Sequence, residues 1–250
     1  MGLKIRLYMN IRMIFMKITL KILISCILFV LCQQIACAQL QQQAVQAGGV
    51  TAVLLKPAKP RASIILLTGG NGLIDISQQG DILQGEGNQL VRTRADYAAR
   101  GFAVLVPNVG YDLQALVTYM AAIKKPVAVV GTSRGTLRAA QGIAAGARPD
   151  KLVLTSGLLS NESGSSENVM TVLGTPDNLP PTLIIHHRED GCWVSAPAGV
   201  APFMAWAKAK ARVIWLAGGT STGNECQPWA HHGFAGIDNQ VVNAVSAFVR

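Results

Sequence analysis

The stretch VAVVGTSRGTLRAA, residues 127–140, runs from a valine-rich segment straight into a helical pattern, with a serine between two glycines at the corner. A β-branched run of this length reads as a buried strand, and the run that begins at Arg134 reads as a helix. Gly131, Ser133 and Gly135 therefore give a G-x-S-x-G spacing in the setting where it has chemical meaning, after a strand and before a helix. The turn is sharp, and glycines two places to either side keep side chains out of it. A helix opening at Arg134 points its free N–H groups and positive end at Ser133. The bland alternative is a tight connection with no chemistry, which the motif alone does not exclude.

Outward from this corner, apolar β-branched runs alternate with helical patterns. VTAVLLK, ASIILLTGG, FAVLVPN, PVAVVG, KLVLTSG, PTLIIHH and ARVIWLAGG read as strands. QLVRTRADYAARG, DLQALVTYMAAIKK, RGTLRAAQGIAAGA, APAGVAPFMAWAKAK and DNQVVNAVSAFVR read as helices, the last with Ile237, Val241, Val245 and Phe248 on one face. Residues 160–180 are polar and punctuated, and read as a loop or a small cap. Continuously apolar strands with helices between them predict an α/β fold, a mainly parallel doubly wound sheet covered on both faces. In such sheets, function gathers at the carboxyl ends of the strands.

The first 38 residues read as address. Lys4, Arg6, Arg12, Lys17 and Lys21 precede the apolar run ILISCILFVL, and Ala36-Cys37-Ala38 offers a small-x-small cleavage site before Gln39. The run is shorter than the roughly 20 residues a membrane span needs, so no stable span is expected once the signal is removed. Met16 makes a more ordinary start than Met1. Gln34 stands three places before Cys37, where a lipid-attachment site carries an aliphatic residue, so the expected product is a periplasmic or secreted protein, not a lipoprotein. Removing the signal leaves 17 basic against 13 acidic side chains, and the net charge drops from +9 to +4. That balance gives no ground for a nucleic-acid partner. Residues 39–250 suit one domain. Cys192 and Cys226 remain in it, an even count that reads as a disulfide in an exported protein.

A serine hydroxyl is a poor nucleophile at neutral pH and needs a base, which in turn needs an orienting acid. Downstream of Ser133, PTLIIHH is followed by Arg188-Glu189-Asp190-Gly191, and AHHGF precedes the final helix. At these residues the chain resembles the α/β-hydrolase superfamily. GTSRG resembles the nucleophile elbow, HHREDGC the acid loop and HHGF the histidine loop. The resemblance spans residues 62–250 and is greatest to small exported bacterial hydrolases without an extended lid. It implies Ser133 as nucleophile, Asp190 as acid and His232 as base. It also implies an oxyanion hole made by the Arg134 N–H and one further N–H, from Gly70 or Asn71. Many relatives carry a His-Gly pair where this chain has Thr68-Gly69.

Other residues compete for these roles. Glu189 is the rival acid, with Glu162 more distant, and His231 the rival base. Arg92 and Arg94 read as a solvated helix face. Trp193, Trp206, Trp215 and Trp229 read as core or pocket wall. The pairs His186-His187 and His231-His232 raise a metal site. Neighbours on a strand point to opposite faces, however, and no ligand spacing such as H-E-x-x-H occurs, so no metal and no cofactor is expected. Cys192 could be a nucleophile, but export favours the disulfide. The expected function is hydrolysis of an ester or other acyl bond in a small-molecule or acyl substrate. The rivals are a non-catalytic binding protein on the same fold and a metal-dependent hydrolase. Residues 72–88 and 157–180 are expected to build the pocket and carry no readable signature.

Overall fold

One eight-stranded sheet, in the order β1-β2-β4-β3-β5-β6-β7-β8, forms the centre of the protein in a computed structural model that describes residues 41–250. The expected signal peptide, its cleavage site and Cys37 lie outside the described residues. The strands are β1 (Gln41–Ala47), β2 (Val50–Lys56), β3 (Ala62–Leu67), β4 (Phe102–Pro107), β5 (Val127–Thr132), β6 (Lys151–Thr155), β7 (Thr182–His187) and β8 (Ala211–Leu216). From β4 to β8 neighbouring strands are parallel, while β1 and β2 are antiparallel additions at one edge. This is the mainly parallel, doubly wound sheet that the alternating pattern predicts.

The strand β1 was not anticipated. QQQAVQA has little β-branched content, and its signal lies in the two glycines after it. Gly48 and Gly49 take φ of 60° and 82°, the left-handed pair a two-residue hairpin requires, and Ala47 pairs with Val50 across it.

The helices are α1 (Gln89–Arg92), α2 (Arg94–Ala99), α3 (Leu113–Ile123), α4 (Arg134–Ala144), α5 (Val169–Leu173), α6 (Val200–Ala207) and α7 (Asp238–Val249). Strand residues alternate between two cores. Ile65, Leu67, Val127 and Val129 join Leu113, Leu116, Met120, Ala139, Ile143 and Phe203, so α3, α4 and α6 cover one face. Ile64, Leu66, Ala128 and Val130 join Leu90, Val91, Tyr97, Val241 and Val245, so α1, α2 and α7 cover the other. Each fully buried aliphatic side chain contributes roughly 1.5–3 kcal/mol by leaving water. On α7 the buried stripe also takes Val242 and Val249, while Phe248 lies at its margin.

A single helix was expected over residues 89–101, but it breaks at Thr93. The Thr93 hydroxyl donates to the Gln89 carbonyl at 2.7 Å, and such a side-chain bond competes with the helical ladder. Residues 160–180 form 3-10 turns around the short α5, a small packed segment and not an extended lid.

Candidate active site

Ser133 sits at the corner between β5 and α4 with φ 52° and ψ −125°, a region L-residues rarely occupy. A backbone held there costs of order 1–3 kcal/mol and persists only when its surroundings enforce it. Here Ser133 N–H donates to Thr155 O at 3.0 Å, while Thr136 N–H and Oγ1 both donate to the Ser133 carbonyl, at 2.9 and 2.6 Å. The flanking glycines are sterically required. A Cβ on Gly131 would press on the Gly135 carbonyl, and one on Gly135 would strike the Leu67 carbonyl at the end of β3. The spacing that drew attention in the sequence thus lets β3, β5 and α4 close on the corner.

Asp190 and His232 come from loops after β7 and β8 and meet in the interior, 4% and 5% exposed. His232 Nδ1 lies 3.1 Å from Asp190 Oδ2. The other carboxylate oxygen, Oδ1, accepts from the Cys192 N–H at 2.9 Å. Ser195, fully buried, also reaches this junction: its Oγ is 3.0 Å from His232 Nδ1 and 3.4 Å from Asp190 Oδ2. Both contacts fall on the Nδ1 side, which leaves Nε2 as the open edge of the imidazole. His232 is further fixed by Ser156, whose hydroxyl donates to the His232 carbonyl at 2.7 Å. Ser195 and Ser156 were not singled out in the sequence, where nothing separates them from ordinary loop serines.

Ser133 and His232 line one cavity of about 260 Å³, with Thr68, Gly69, Gly70 and Asn71 along one wall and Cys226, Gln227 and Pro228 along another. Leu73 and Ile74 give it an apolar patch, and among the described residues no Lys, Arg, Asp or Glu lines it. Arg138, on α4, donates to the carbonyls of Thr68 and Gly70 at 2.8 and 2.6 Å. In a trans peptide the N–H points opposite the carbonyl, so this clamp turns the Gly69 and Asn71 N–H groups away from the guanidinium. Arg134, the first residue of α4, also lies at the corner.

Arg92 corrects the sequence reading. It is no solvated cation: its guanidinium pairs with Asp238 at 2.9 Å and donates to the carbonyls of Gly87, Pro228 and Gly233. It thereby ties α1 to the histidine loop and to α7. Arg94 is likewise engaged, with Gln42 and the Val91 carbonyl. Trp193 and Trp229 are not core residues, being 74% and 54% exposed; the Arg92 guanidinium covers the Trp229 ring at 4.8 Å. Trp206 and Trp215 pack against the core as expected.

The remaining acid and histidine candidates fall elsewhere. Glu162 is exposed and accepts from Ser160, and that hydrogen bond holds its carboxyl below the usual range. Glu189 faces His231, not His232. His231 stacks on His187 with ring centroids 4.3 Å apart, and with Glu189 the two could approach a metal. The donor set does not suit one. His187 Nδ1 already accepts from the Glu189 N–H, its Nε2 bonds the Gly218 carbonyl, and stacked rings send their in-plane lone pairs side by side. His186, on the opposite face of β7, lies 3.5 Å from Asp190 Oδ2, with both ring nitrogens buried and without hydrogen-bond partners among the described residues. Burial pushes its pKa down to about 4, against the opposing pull of Asp190, so the ring is neutral near pH 7. Cys192 and Cys226 are joined by a disulfide, which removes Cys192 as a thiol nucleophile and links the acid loop to the loop before His232.

No protein-family model matches the chain, and no curated protein matches it in sequence. Solved structures do match. An esterase from Pyrococcus furiosus aligns with TM-score 0.59 at 15% identity, over 84% of this chain and 90% of its own. A serine hydrolase homologue from Coxiella burnetii gives 0.56 at 14%, over 84% and 97%. A dienelactone hydrolase from Anabaena variabilis gives 0.56 at 12%, over 83% and 96%. This chain has the α/β-hydrolase fold. In an α/β-hydrolase fold the corner after β5 and the loops after β7 and β8 open on one edge of the sheet, which is where Ser133, Asp190 and His232 stand.

Proposed function

We propose that the protein is an exported serine hydrolase that cleaves a carboxylic ester, or another acyl bond, of a small substrate through an acyl-serine intermediate on Ser133. The observation that carries this reading is one juxtaposition: a serine held in a strained corner shares a cavity with a histidine whose far nitrogen is pinned to a buried carboxylate. His232 Nε2 takes the Ser133 proton as Oγ adds to the carbonyl carbon, and returns it to the leaving group. Asp190 holds the tautomer with the proton on Nδ1. The Arg134 N–H, with the Gly70 or Asn71 N–H, receives the oxyanion, each donor being worth about 3–4 kcal/mol in comparable sites. The small volume and uncharged walls favour a short neutral acyl group, and an ester is favoured over a peptide. The disulfide and the basic, then apolar, N-terminal segment support export.

Covalent labelling tests the assignment. Protein recovered outside the cytoplasm, expected to begin at Gln39, should take up one equivalent of a fluorophosphonate probe. Ser133→Ala should take up none, and EDTA should change nothing. Labelling that survives Ser133→Ala removes the assignment, and activity lost to EDTA and restored by zinc replaces it with a metal mechanism. Esters of graded acyl length, run beside small peptides, then fix the substrate class.

A further inference from the structure

We propose that Asn88 is a catalytic residue of this site, its side-chain amide donating a hydrogen bond to the oxyanion that forms when Ser133 attacks. The proposal rests on the serine-hydrolase reading above and adds to it a donor that is not a backbone group.

Asn88 lies in the turn that leads into α1 and lines the cavity with Ser133 and His232. Its position is fixed from both directions, since its N–H donates to Gly85 O at 2.9 Å and its carbonyl accepts from the Arg92 N–H at 2.9 Å. The orientation of the amide is fixed as well. Its Oδ1 caps α1 by accepting from the Leu90 N–H at 3.1 Å, and only the oxygen of a carboxamide can do that. The NH₂ group is therefore the other end, and among the described residues it has no acceptor.

That free end and Ser133 flank the same glycine, Gly69. A methyl group on Gly69 would stand 3.0 Å from Ser133 Cβ, 3.2 Å from Thr132 O and 3.6 Å from Asn88 Nδ2. The serine and the amide nitrogen thus border the same small space, which exists because residue 69 has no side chain. It adjoins the Gly70-Asn71 segment held by Arg138, where an oxyanion would lie. Among the described residues no Lys, Arg, Asp or Glu lines the wall, so N–H dipoles join the protonated His232 in meeting the charge. As Ser133 Oγ bonds to the carbonyl carbon, its proton moves to His232 Nε2 and the π pair of the C=O moves onto oxygen. The Asn88 Nδ2–H donates to that oxygen. When the pair returns and the carbonyl re-forms, the leaving group departs with the proton from His232. A donor aimed at charge that exists only in the transition state accelerates turnover without tightening substrate binding.

The helix cap allows a clean test, because serine and aspartate also cap helices through a side-chain oxygen while lacking the amide donor. Asn88→Ser and Asn88→Asp should keep the wild-type circular dichroism and melting temperature. The saturating rate of labelling by the fluorophosphonate, whose phosphoryl oxygen takes the oxyanion position, should fall about 100-fold in Asn88→Ser. It should fall further in Asn88→Asp, where a carboxylate faces the developing charge. The probe concentration for half-maximal rate should stay within about threefold, and kcat on p-nitrophenyl acetate should fall in step with KM held. A rate in Asn88→Ser within about threefold of wild type, with labelling still dependent on Ser133, overturns this proposal and leaves the serine-hydrolase reading standing. Wild-type protein that does not label at Ser133 overturns both.

Discussion

His232 meets two oxygens through one nitrogen, and only one can be the principal acceptor of its single Nδ1 proton. Asp190 Oδ2 at 3.1 Å carries charge, and hydrogen bonds to charged groups are about twice as strong as neutral ones. Ser195 Oγ, at 3.0 Å from Nδ1 and 3.4 Å from the same carboxylate oxygen, is placed to donate to Oδ2 and so steady the acid. The two residues then differ in weight. Asp190→Asn should lower kcat by about 10⁴, because the histidine is left in the wrong tautomer. Ser195→Ala should lower it by no more than about tenfold; the opposite ranking, measured on the same ester, would make Ser195 the principal partner. At this scale much of the candidate site was legible in the sequence. The strand–serine–helix corner and the order serine, acid, histidine point to three residues that the fold does bring to one edge. Ser156 and Ser195 were invisible, since each meets His232 across a long stretch of chain. Arg92 was misread for the same reason: its acceptors, Pro228, Gly233 and Asp238, lie more than a hundred positions downstream, beyond any helical periodicity.

Among the elements, the strands were legible because burial on both faces leaves a nearly continuous apolar run, as in β3, β4 and β5. The glutamine-rich β1 was not, because an edge strand buries little and its pairing is directed by the turn beside it. The two loops that carry Asp190 and His232 have little secondary structure beyond a 3-10 turn at His231–Gly233, and the Cys192–Cys226 bond ties them together. Its loop of 34 residues corresponds to about 4 kcal/mol in the chain-entropy picture. The bond also bears on the acid directly, since the Cys192 N–H holds Asp190 Oδ1 and Cys226 forms part of the cavity wall. We expect Cys192→Ser with Cys226→Ser to lower the melting temperature and, while circular dichroism still reports a folded protein, to lower kcat as well. A variant that melts earlier but turns over at the wild-type rate would reduce the bond to a staple.

For the whole molecule, the parallel sheet with two cores was readable from the alternation of apolar strands and amphipathic helices; what the alternation lacks is any record of how loops fold over the sheet's edge. One buried ring in that region links the site to the stability of the entire chain. His186 is held neutral down to about pH 4, against an ordinary value of 6.5, chiefly by burial. Between those two values the unfolded chain takes up a proton that the native one refuses, so acidification favours unfolding across that window. The difference amounts to about 3 kcal/mol once the pH has fallen from 7 to 4. Urea titrations of wild type and His186→Gln at a series of pH values should therefore converge or cross as pH falls, the variant gaining on the wild type by about that much. Parallel curves would show that His186 takes up its proton equally in both states. The neutral ring packed against Asp190 keeps a second positive charge away from the carboxylate bonded to His232, and acid sensitivity of the fold is the thermodynamic counterpart of that arrangement.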